Sequence, residues 1–310
     1  MSAVGLSVLI VTYNAGPDIV TCLELLAASR IEIPYEVILV DNASTDGTPE
    51  RVTAAFPWVR VVAEHTNHGF AGGNAVALGH AGGERILLLN PDAFLRDPDA
   101  LQGLLAHLDA HPEVGAVGPR LTFPDGAHQV GDAGFEPRPL SILVHAAGLS
   151  GRLGLRGLYL ARRQTRGTGT VDVDWICGAC LLLRRSAIAA IGGLASPMFL
   201  YGEDVDWGCR LRDAGWRVAY RPGIAVVHLQ GGSGSIRSAR WLDGLAGIYR
   251  LRNAGRTLSS PAFFTGPMRL GFTLRALAYE LAARLRGQPD LARRAADMRR
   301  FAGHLRTLRQ

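Results

Sequence analysis

The 310-residue sequence contains no lysine, so all 33 of its basic side chains are arginines. We attribute this to codon bias in a GC-rich genome, which makes any single arginine weak support for a bidentate contact. The charge is also unevenly distributed. Residues 1–239 contain 19 arginines and 23 acidic residues, a balance of −4, whereas residues 240–310 contain 14 arginines and 4 acidic residues, a balance of +10. A basic C-terminal segment is compatible with nucleic acid, an anionic membrane surface or a solvated helix bundle.

Cysteine is scarce, and the four cysteines form no recognisable metal or disulfide pattern. Cys177 and Cys180 make a single C-x-x-C pair inside the apolar run 176–183, with no second pair at zinc-ligand spacing. A zinc or redox site is one interpretation, and a buried strand is the one we prefer. Because nothing in the pattern requires disulfides, we expect a reducing compartment.

Two further absences narrow the class of protein. No apolar run reaches the length of a membrane span, and the short run 6–11 lacks the basic flank and the cleavage site of a signal peptide. The sequence also has no G-x-G-x-x-G dinucleotide fingerprint, which argues against a nicotinamide enzyme. We therefore expect a cytoplasmic protein that is soluble or peripheral at the inner face of the membrane.

Short apolar runs alternate with helical patterns over the first 120 residues. These runs predict strands at residues 6–12, 36–41, 59–63, 85–90 and 114–121. Helices are predicted at residues 18–29, 48–56, 71–79 and 97–111. Apolar runs of this kind are typical of parallel strands covered on both faces and joined by crossover helices. The sequence thus predicts an α/β fold with a mostly parallel central sheet.

The second half of the chain is less regular until it becomes helical and basic. Strands are predicted at residues 171–175, 176–183 and 225–228, with a short helix at residues 205–214. Three longer helices are predicted at residues 236–255, 261–286 and 290–308. This change of pattern divides the chain into residues 1–235 and a basic helical region, residues 236–310.

Polar side chains cluster just beyond three of the predicted strands. The clusters are Thr12, Tyr13 and Asn14; Asp41, Asn42 and Ser44; and Asn90 and Asp92. In open α/β sheets the ligand crevice lies outside these strand ends. Asp41 suits either hydrogen bonding to a nucleobase or ribose, or a turn that caps the next helix. Asp92 suits either a divalent cation on a diphosphate or a turn formed by the Asn-Pro-Asp sequence.

Two other segments carry residues suited to chemistry. Residues 67–74 begin a helix with glycines, which permit a ligand to approach the backbone where phosphate is favoured. Residues 201–207 place Glu203, Asp204 and Asp206 at a helix start, where acids stabilise the helix dipole or one of them acts as a general base. His228 closes a strand, and it is either structural or a second metal ligand.

Taken in order, these motifs resemble family 2 glycosyltransferases of the GT-A fold. The resemblance covers roughly residues 5–235, and it is strongest in the rhamnosyltransferase branch. The segments that carry it are residues 7–14, 40–48, 67–74, 90–93, 175–180 and 203–206. Within it, residues 1–120 correspond to the nucleotide-binding half and residues 121–235 to the acceptor and catalytic half. Asn90 departs from the family's Asp-x-Asp motif and leaves one carboxylate fewer.

The resemblance implies a role for each matching position. The residues that would bind the nucleotide-sugar are Thr12, Tyr13, Asn14, Asp41, Asn42, Ser44, Asn67, Gly69, Gly73, Asn74, Asn90 and Asp92. Asp92 and His228 would hold Mg²⁺ or Mn²⁺ on the diphosphate. Asp204 would be the catalytic base beside Glu203. The acceptor side would contain Trp175, Gly178, Asp206 and Trp207.

The implied function is an inverting, metal-dependent transfer of a sugar to a glycan or to a polyprenyl-diphosphate-linked acceptor in cell-wall or surface polysaccharide synthesis. Rhamnose from dTDP-rhamnose is the preferred donor. Galactofuranose or another hexose from a UDP-sugar is the alternative, and an inactive nucleotide-sugar-binding module is the non-enzyme alternative. The absence of a recognition module argues against nucleic acid as the partner.

Leucines recur at helical spacing in the basic region, at positions 270, 274, 277 and 281, among several arginines. One interpretation is an interfacial helix that lies on an anionic membrane surface. The other is an ordinary amphipathic helix packed against the rest of the protein. The sequence alone does not separate the two.

Overall fold

A computed structural model describes residues 4–160, 165, 167–198, 201–230, 239–255 and 258–308. Its strands are β1 Leu6–Thr12, β2 Tyr35–Asn42, β3 Val59–Glu64, β4 Arg85–Leu89, β5 Ala93–Phe94, β6 Val114–Thr122, β7 Ala133–Gly134, β8 Val171–Val173, β9 Trp175–Ile176, β10 Cys180–Arg184 and β11 Arg217–His228. Its helices are α1 Asp18–Ala27, α2 Thr48–Ala55, α3 Gly69–His80, α4 Ala100–Ala110, α5 Pro139–Ala146, α6 Leu149–Leu153, α7 Arg185–Ala190, α8 Glu203–Asp213, α9 Arg240–Asn253, α10 Ala262–Arg286 and α11 Pro289–Thr307.

The central sheet has the strand order β3-β2-β1-β4-β10-β6-β11-β5, with β8 paired to β11. The first four of these strands are parallel, and β10 enters antiparallel between β4 and β6. All seven residues of β1 are buried, as expected of a strand covered on both faces. The parallel register places Thr12 opposite Asp41, so the ends of β1 and β2 meet at the same rim.

Three apolar clusters hold the layers together. One packs α1, α2 and α4 on one face of the sheet, and a second packs α3, α7 and α8 on the other. The third joins Trp175 and Val205 to apolar residues of α5, α9, α10 and α11. A two-stranded sheet of β7 and β9 lies beside this third cluster.

The prediction of a mostly parallel α/β sheet is confirmed, and the main strands and helices lie within a few residues of their predicted bounds. The apolar run 171–183 divides into β8, β9 and β10, whereas the strand predicted at residues 225–228 is the end of the longer β11. Helices α5, α6 and α7 were not predicted. Residues 236–238 of the first C-terminal helix lie outside the described residues.

The C-terminal helices pack against the rest of the protein along one face. Phe264, Met268 and Phe272 of α10 belong to the third cluster, and α10 also packs on α5. Among the described residues, no helix is both long enough and apolar enough to cross a bilayer.

Candidate active site

Asp41 organises the rim at the ends of β1 and β2. Its carboxylate accepts hydrogen bonds from the Thr12 hydroxyl at 3.0 Å, the Ser44 hydroxyl at 2.5 Å and the Ser44 amide at 2.8 Å. The side chain is buried. Burial of a carboxylate is tolerated here because donors surround it. Asp41 therefore shapes the loop that follows β2.

The loops after β1 and β2 are bonded to each other through Asn14 and Ser44. The Asn14 backbone N–H donates to Ser44 Oγ at 2.8 Å, and the Thr45 backbone N–H donates to the side-chain Oδ1 of Asn14 at 2.8 Å. Asn14 has a φ of 53°, in the left-handed region that asparagine tolerates better than most residues. The neighbouring Tyr13 is exposed, so its ring faces solvent at this rim.

The start of α3 approaches the same rim closely. Asn67 Oδ1 accepts from the Gly69 amide at 2.8 Å, and Asn42 Nδ2 donates to the Gly69 carbonyl at 3.0 Å. A Cβ at Gly73 would lie 2.6 Å from Val11 Cγ1, so only glycine fits there. Asn74 is buried and donates to the Phe70 carbonyl at 2.9 Å, within its own helix. The buried Oδ1 of Asn42 has no hydrogen-bond partner in the described part of the chain.

Asp92 and His228 meet where β5 pairs with the end of β11. The register places His228 opposite Ala93, and the Leu229 amide donates to the Asp92 carbonyl at 3.1 Å. His228 Nε2 lies 3.3 Å from Asp92 Oδ1 and 3.3 Å from Asn90 Nδ2. Both Asp92 and His228 are buried. Residues separated by more than 130 positions thus form one polar cluster.

Gln129 determines which nitrogen of His228 carries the proton. Its Nε2 donates to the His228 carbonyl at 3.0 Å, which leaves its Oε1 as the acceptor 2.7 Å from His228 Nδ1. Nδ1 must then be the protonated nitrogen, so the Nε2 of the neutral ring presents a lone pair. That lone pair accepts a hydrogen bond from Asn90 Nδ2 at 3.3 Å, and Nε2 also lies 3.3 Å from Asp92 Oδ1.

This arrangement fits a divalent cation. Two acceptors that face each other at 3.3 Å attract a positive charge between them, and the Asn90 Oδ1 beside them is a buried oxygen without a partner among the described residues. No group of three or more His, Cys, Asp or Glu side chains suited to a metal occurs in the described residues. Two side-chain ligands suffice where substrate phosphates supply others, as is usual for Mg²⁺.

Glu203 and Asp204 lie at the first turn of α8, and their carboxyl groups are poorly hydrated. Burial, reinforced by the charge of Asp204, raises the pKa of Glu203 to about 8. Burial also raises the pKa of Asp204 to about 6. The two neighbouring carboxyl groups therefore resist being ionised together. A poorly hydrated carboxylate with a raised pKa is a suitable general base.

One loop links Asp204 to the Asp92 cluster. The Asp204 carboxylate accepts a hydrogen bond from the Val205 backbone N–H at 2.8 Å, and the nearby Gly178 backbone lowers the pKa of Asp204 against the larger effect of burial. One residue after Gly178, the Ala179 carbonyl accepts a hydrogen bond from the backbone N–H of Asn90 at 2.9 Å. The loop between β9 and β10 thus touches the base candidate on one side and the segment containing Asp92 on the other.

The four residues predicted for the acceptor side are largely enclosed. Trp207 is fully buried and donates to the Leu194 carbonyl at 2.8 Å, and Trp175 is buried and donates to the Phe135 carbonyl at 3.3 Å. Asp206 is buried and paired with Arg210 at 3.0 Å. A Cβ at Gly178 would lie 2.7 Å from the ring of Phe70. In this structure these side chains support the site rather than line its surface.

Two residues of this site are not predicted from the sequence. Gln129 lies in the irregular stretch after β6, where no pattern marks it. The sequence predicts Asp18 only as the start of a helix, but burial and then the charge of Asp92 nearby raise its pKa. Its position just after the loop at the end of β1 was the available signal.

Comparisons with known proteins agree with this fold. Residues 7–192 match glycosyl transferase family 2. The chain is 35% identical over 238 residues to an N-acetylglucosaminyl-diphospho-decaprenol L-rhamnosyltransferase of Mycobacterium tuberculosis, covering 72% of this chain and 75% of that protein. It is 31% identical over 239 residues to the O-antigen biosynthesis protein RfbC of Myxococcus xanthus, covering 73% of this chain and 17% of that longer protein.

The fold also resembles a solved mannosyltransferase of Pyrobaculum calidifontis in complex with GDP-Man and Mn²⁺, with a TM-score of 0.58 and 21% identity over 98% of this chain and 82% of that one. At this identity the likeness establishes the GT-A fold alone. The chain belongs to glycosyl transferase family 2 and is a glycosyltransferase. The expected family, fold and enzyme class are confirmed, and the inactive binding module is set aside.

Proposed function

We propose that the protein transfers a rhamnosyl group from dTDP-rhamnose to a polyprenyl-diphosphate-linked glycan in cell-wall or surface polysaccharide synthesis, with inversion at the anomeric carbon. Its similarity to the mycobacterial decaprenol-linked rhamnosyltransferase supports both the sugar and the acceptor class. The similarity to the O-antigen biosynthesis protein supports polysaccharide assembly more generally. Transfer of galactofuranose or another hexose from a UDP-sugar is the alternative.

The observation that carries the proposed chemistry is that Asp92 and Asp204 flank one loop. Asp92 and His228 would hold Mg²⁺ or Mn²⁺, with Asn90 Oδ1 beside them. When bound, the cation would neutralise the charge that develops on the departing diphosphate. Thr12, Asp41 and Ser44 would hold the nucleoside end of the donor at the rim.

Asp204 would act as the base on the acceptor side. Its raised pKa leaves it ionised at neutral pH but basic enough to take the proton of the attacking hydroxyl as the new glycosidic bond forms. The Val205 N–H would hold the carboxylate in place at the start of α8. Attack from the face opposite the departing diphosphate inverts the anomeric centre without a covalent sugar–enzyme intermediate.

The donor and the cation requirement are tested together. The purified full-length protein is incubated with dTDP-rhamnose, UDP-galactofuranose, UDP-glucose or GDP-mannose and a short-chain prenyl-diphosphate-linked acceptor. Release of nucleoside diphosphate is followed with Mg²⁺, with Mn²⁺ and with EDTA. We expect dTDP release from dTDP-rhamnose that depends on both the acceptor and the cation. Turnover with a UDP-sugar and none with dTDP-rhamnose would replace the donor assignment.

The base is tested by Asp204→Asn. We expect turnover to fall at least about a hundredfold, as for the loss of a general base, while the donor dissociation constant stays within about twofold. The matched control is Asp172→Asn, because Asp172 is an exposed acid paired with Arg217 away from the rim. Near-normal turnover of Asp204→Asn would remove the base assignment.

A further inference from the structure

The outer face of α10 is an unusual exposed apolar surface. Five leucines of this helix are between 53% and 77% exposed: Leu270, Leu274, Leu277, Leu281 and Leu285. On an ideal helix of 3.6 residues per turn, they fall within about 80° of one another. Phe264, Met268 and Phe272 occupy the opposite side and are buried in the third apolar cluster. The helix is therefore apolar on two sides, and only one of them is covered by the described residues.

The helix packed beside α10 also exposes apolar side chains. Helix α5 contacts α10 closely, because a Cβ at Gly271 would lie 2.4 Å from the Ala146 carbonyl oxygen. Its Leu140 and Leu143 are exposed and three residues apart, so they share one face of α5. Two adjoining helices thus each expose a row of leucines, and exposed apolar surface of this kind marks interaction sites.

The charge around the patch favours an anionic partner. Arg284 lies beside the leucines on α10, and Arg286 ends the helix; both are exposed. The single acid of α10, Glu280, is paired with Arg299 of α11 at 2.5 Å. The segment 240–310 carries a balance of +10, from 14 arginines and 4 acids. An apolar stripe on a helix with exposed arginines, within a segment of net positive charge, has the composition of a helix that lies in a membrane interface.

We infer that the α5–α10 face, defined by Leu140, Leu143 and the five leucines of α10, binds the surface of an anionic membrane. The leucines would enter the boundary between headgroups and acyl chains, and the arginines would contact anionic headgroups. A second copy of this chain fits less well, because a symmetric contact would bring the arginines of one copy against those of the other.

This inference deepens the proposed function, since a polyprenyl-linked acceptor is held in a membrane. Val205, the residue after Asp204, packs in the same apolar cluster as Ile142 of α5 and Phe264 of α10. The two helices that would meet the membrane therefore pack against the helix start that carries the base. The inference itself rests on the exposed surface and its charge, independently of the donor sugar.

Vesicle flotation of the full-length protein tests the inference without donor or cation. Vesicles of phosphatidylcholine alone are compared with vesicles that also contain phosphatidylglycerol, each at low and high salt. We expect binding to the anionic vesicles at low salt, with weaker binding at high salt because salt screens the arginine contribution. Absence of binding to anionic vesicles at low salt overturns the inference.

Paired variants locate the surface. The double variant Leu274→Ser and Leu281→Ser should weaken vesicle binding by about tenfold or more, because two leucines no longer enter the interface. Arg284→Gln should weaken binding by about fivefold on anionic vesicles only. The controls are Trp58→Ser, which removes a larger exposed apolar side chain between α2 and β3, and Arg60→Gln on β3. Equal loss in the controls overturns the assignment of this face.

Two further measurements separate the possible causes of a negative result. Turnover with a short-chain acceptor in solution should be unchanged in the leucine variant, so vesicle binding and glycosyl transfer can fail independently. Sedimentation velocity should show the same oligomeric state for the wild type and the leucine variant. A change from dimer to monomer, without vesicle binding by the wild type, would assign the face to a second copy instead.

Discussion

Replacement of Gln129 should reveal how the Asp92–His228 cluster is set for a cation. Gln129 is buried and uses both ends of its amide on one histidine: Oε1 accepts from Nδ1 at 2.7 Å, and Nε2 donates to the backbone carbonyl at 3.0 Å. Gln129→Leu keeps most of the side-chain volume but leaves a buried ring N–H and a buried carbonyl unpaired. The structural cost is about 2–6 kcal/mol, at roughly 1–3 kcal/mol for each unsatisfied group.

The larger effect should be on the cation. Without the acceptor on Nδ1, the ring of His228 can place its proton on Nε2, which removes the lone pair of that nitrogen. Loss of such a supporting hydrogen bond typically weakens metal binding by about 10–100-fold. Titration of Mn²⁺ into the protein saturated with dTDP, followed by electron paramagnetic resonance, measures this affinity without turnover. Unfolding in urea without metal measures the structural cost separately.

Gln102→Leu is the matched control, because Gln102 is a glutamine of α4 whose amide bonds to Glu32 at 3.1 Å near the surface. It should leave the Mn²⁺ dissociation constant within about twofold, as expected of a surface substitution. The reasoning is refuted if Gln129→Leu remains folded and binds Mn²⁺–dTDP as tightly as the control does. His228→Ala should then be just as harmless, and the cation would have to be held by other groups.

Four further predictions concern the base, its loop and the rim. Burial raises the pKa of Asp204 to about 6 from an ordinary 3.8, so the free energy of unfolding should fall as the pH rises through this interval. In urea unfolding at pH about 8, Asp204→Asn should therefore be more stable than the wild type by on the order of 2 kcal/mol. Turnover should decline below pH about 6 as Asp204 becomes protonated, and a flat profile down to pH about 4 would contradict the raised pKa. Gly178→Ala should cost about 1–3 kcal/mol, because its Cβ would meet Phe70 at 2.7 Å, whereas Gly303→Ala in open space on α11 should not destabilise. Asp41→Asn should raise the donor KM by about tenfold with less effect on kcat. The substitution removes the carboxylate that accepts hydrogen bonds from the Thr12 and Ser44 hydroxyls and from the Ser44 backbone N–H at the rim.

The strands of the sheet could be predicted from the sequence because their signals are local. The run 6–12 is apolar throughout and is followed at once by polar residues, and β1 ends at Thr12 as predicted. The polar clusters could be placed on one rim for the same reason, since parallel strands end at a common edge. The rim then brings Thr12, Asp41 and Ser44 within hydrogen-bond distance of one another.

The parts that could not be predicted depend on contacts between distant residues. Gln129 reaches His228 across 99 positions, and Asn90 reaches the same histidine across 138. No local pattern identifies such partners. Helix α5 was missed because the segment around it is rich in Gly, Pro and Arg, which are typical of loops, whereas its packing against α10 stabilises the helix. Tertiary packing of this kind overrides weak local preference.

The insertion of β10 between β4 and β6 explains why the two charged centres stay together. An antiparallel strand beside β4 must enter at the same rim where β4 ends, so its leading loop lies next to residues 90–92. The Asn90 backbone N–H donates to the Ala179 carbonyl on one side of this loop, and the Asp204 carboxylate lies near the Gly178 backbone on the other. A shift of the loop would therefore alter the surroundings of both Asp92 and Asp204. The short glycine-containing loop couples the two carboxylates, because it is bonded to the strand end that leads to Asp92 and lies against the helix start that carries Asp204.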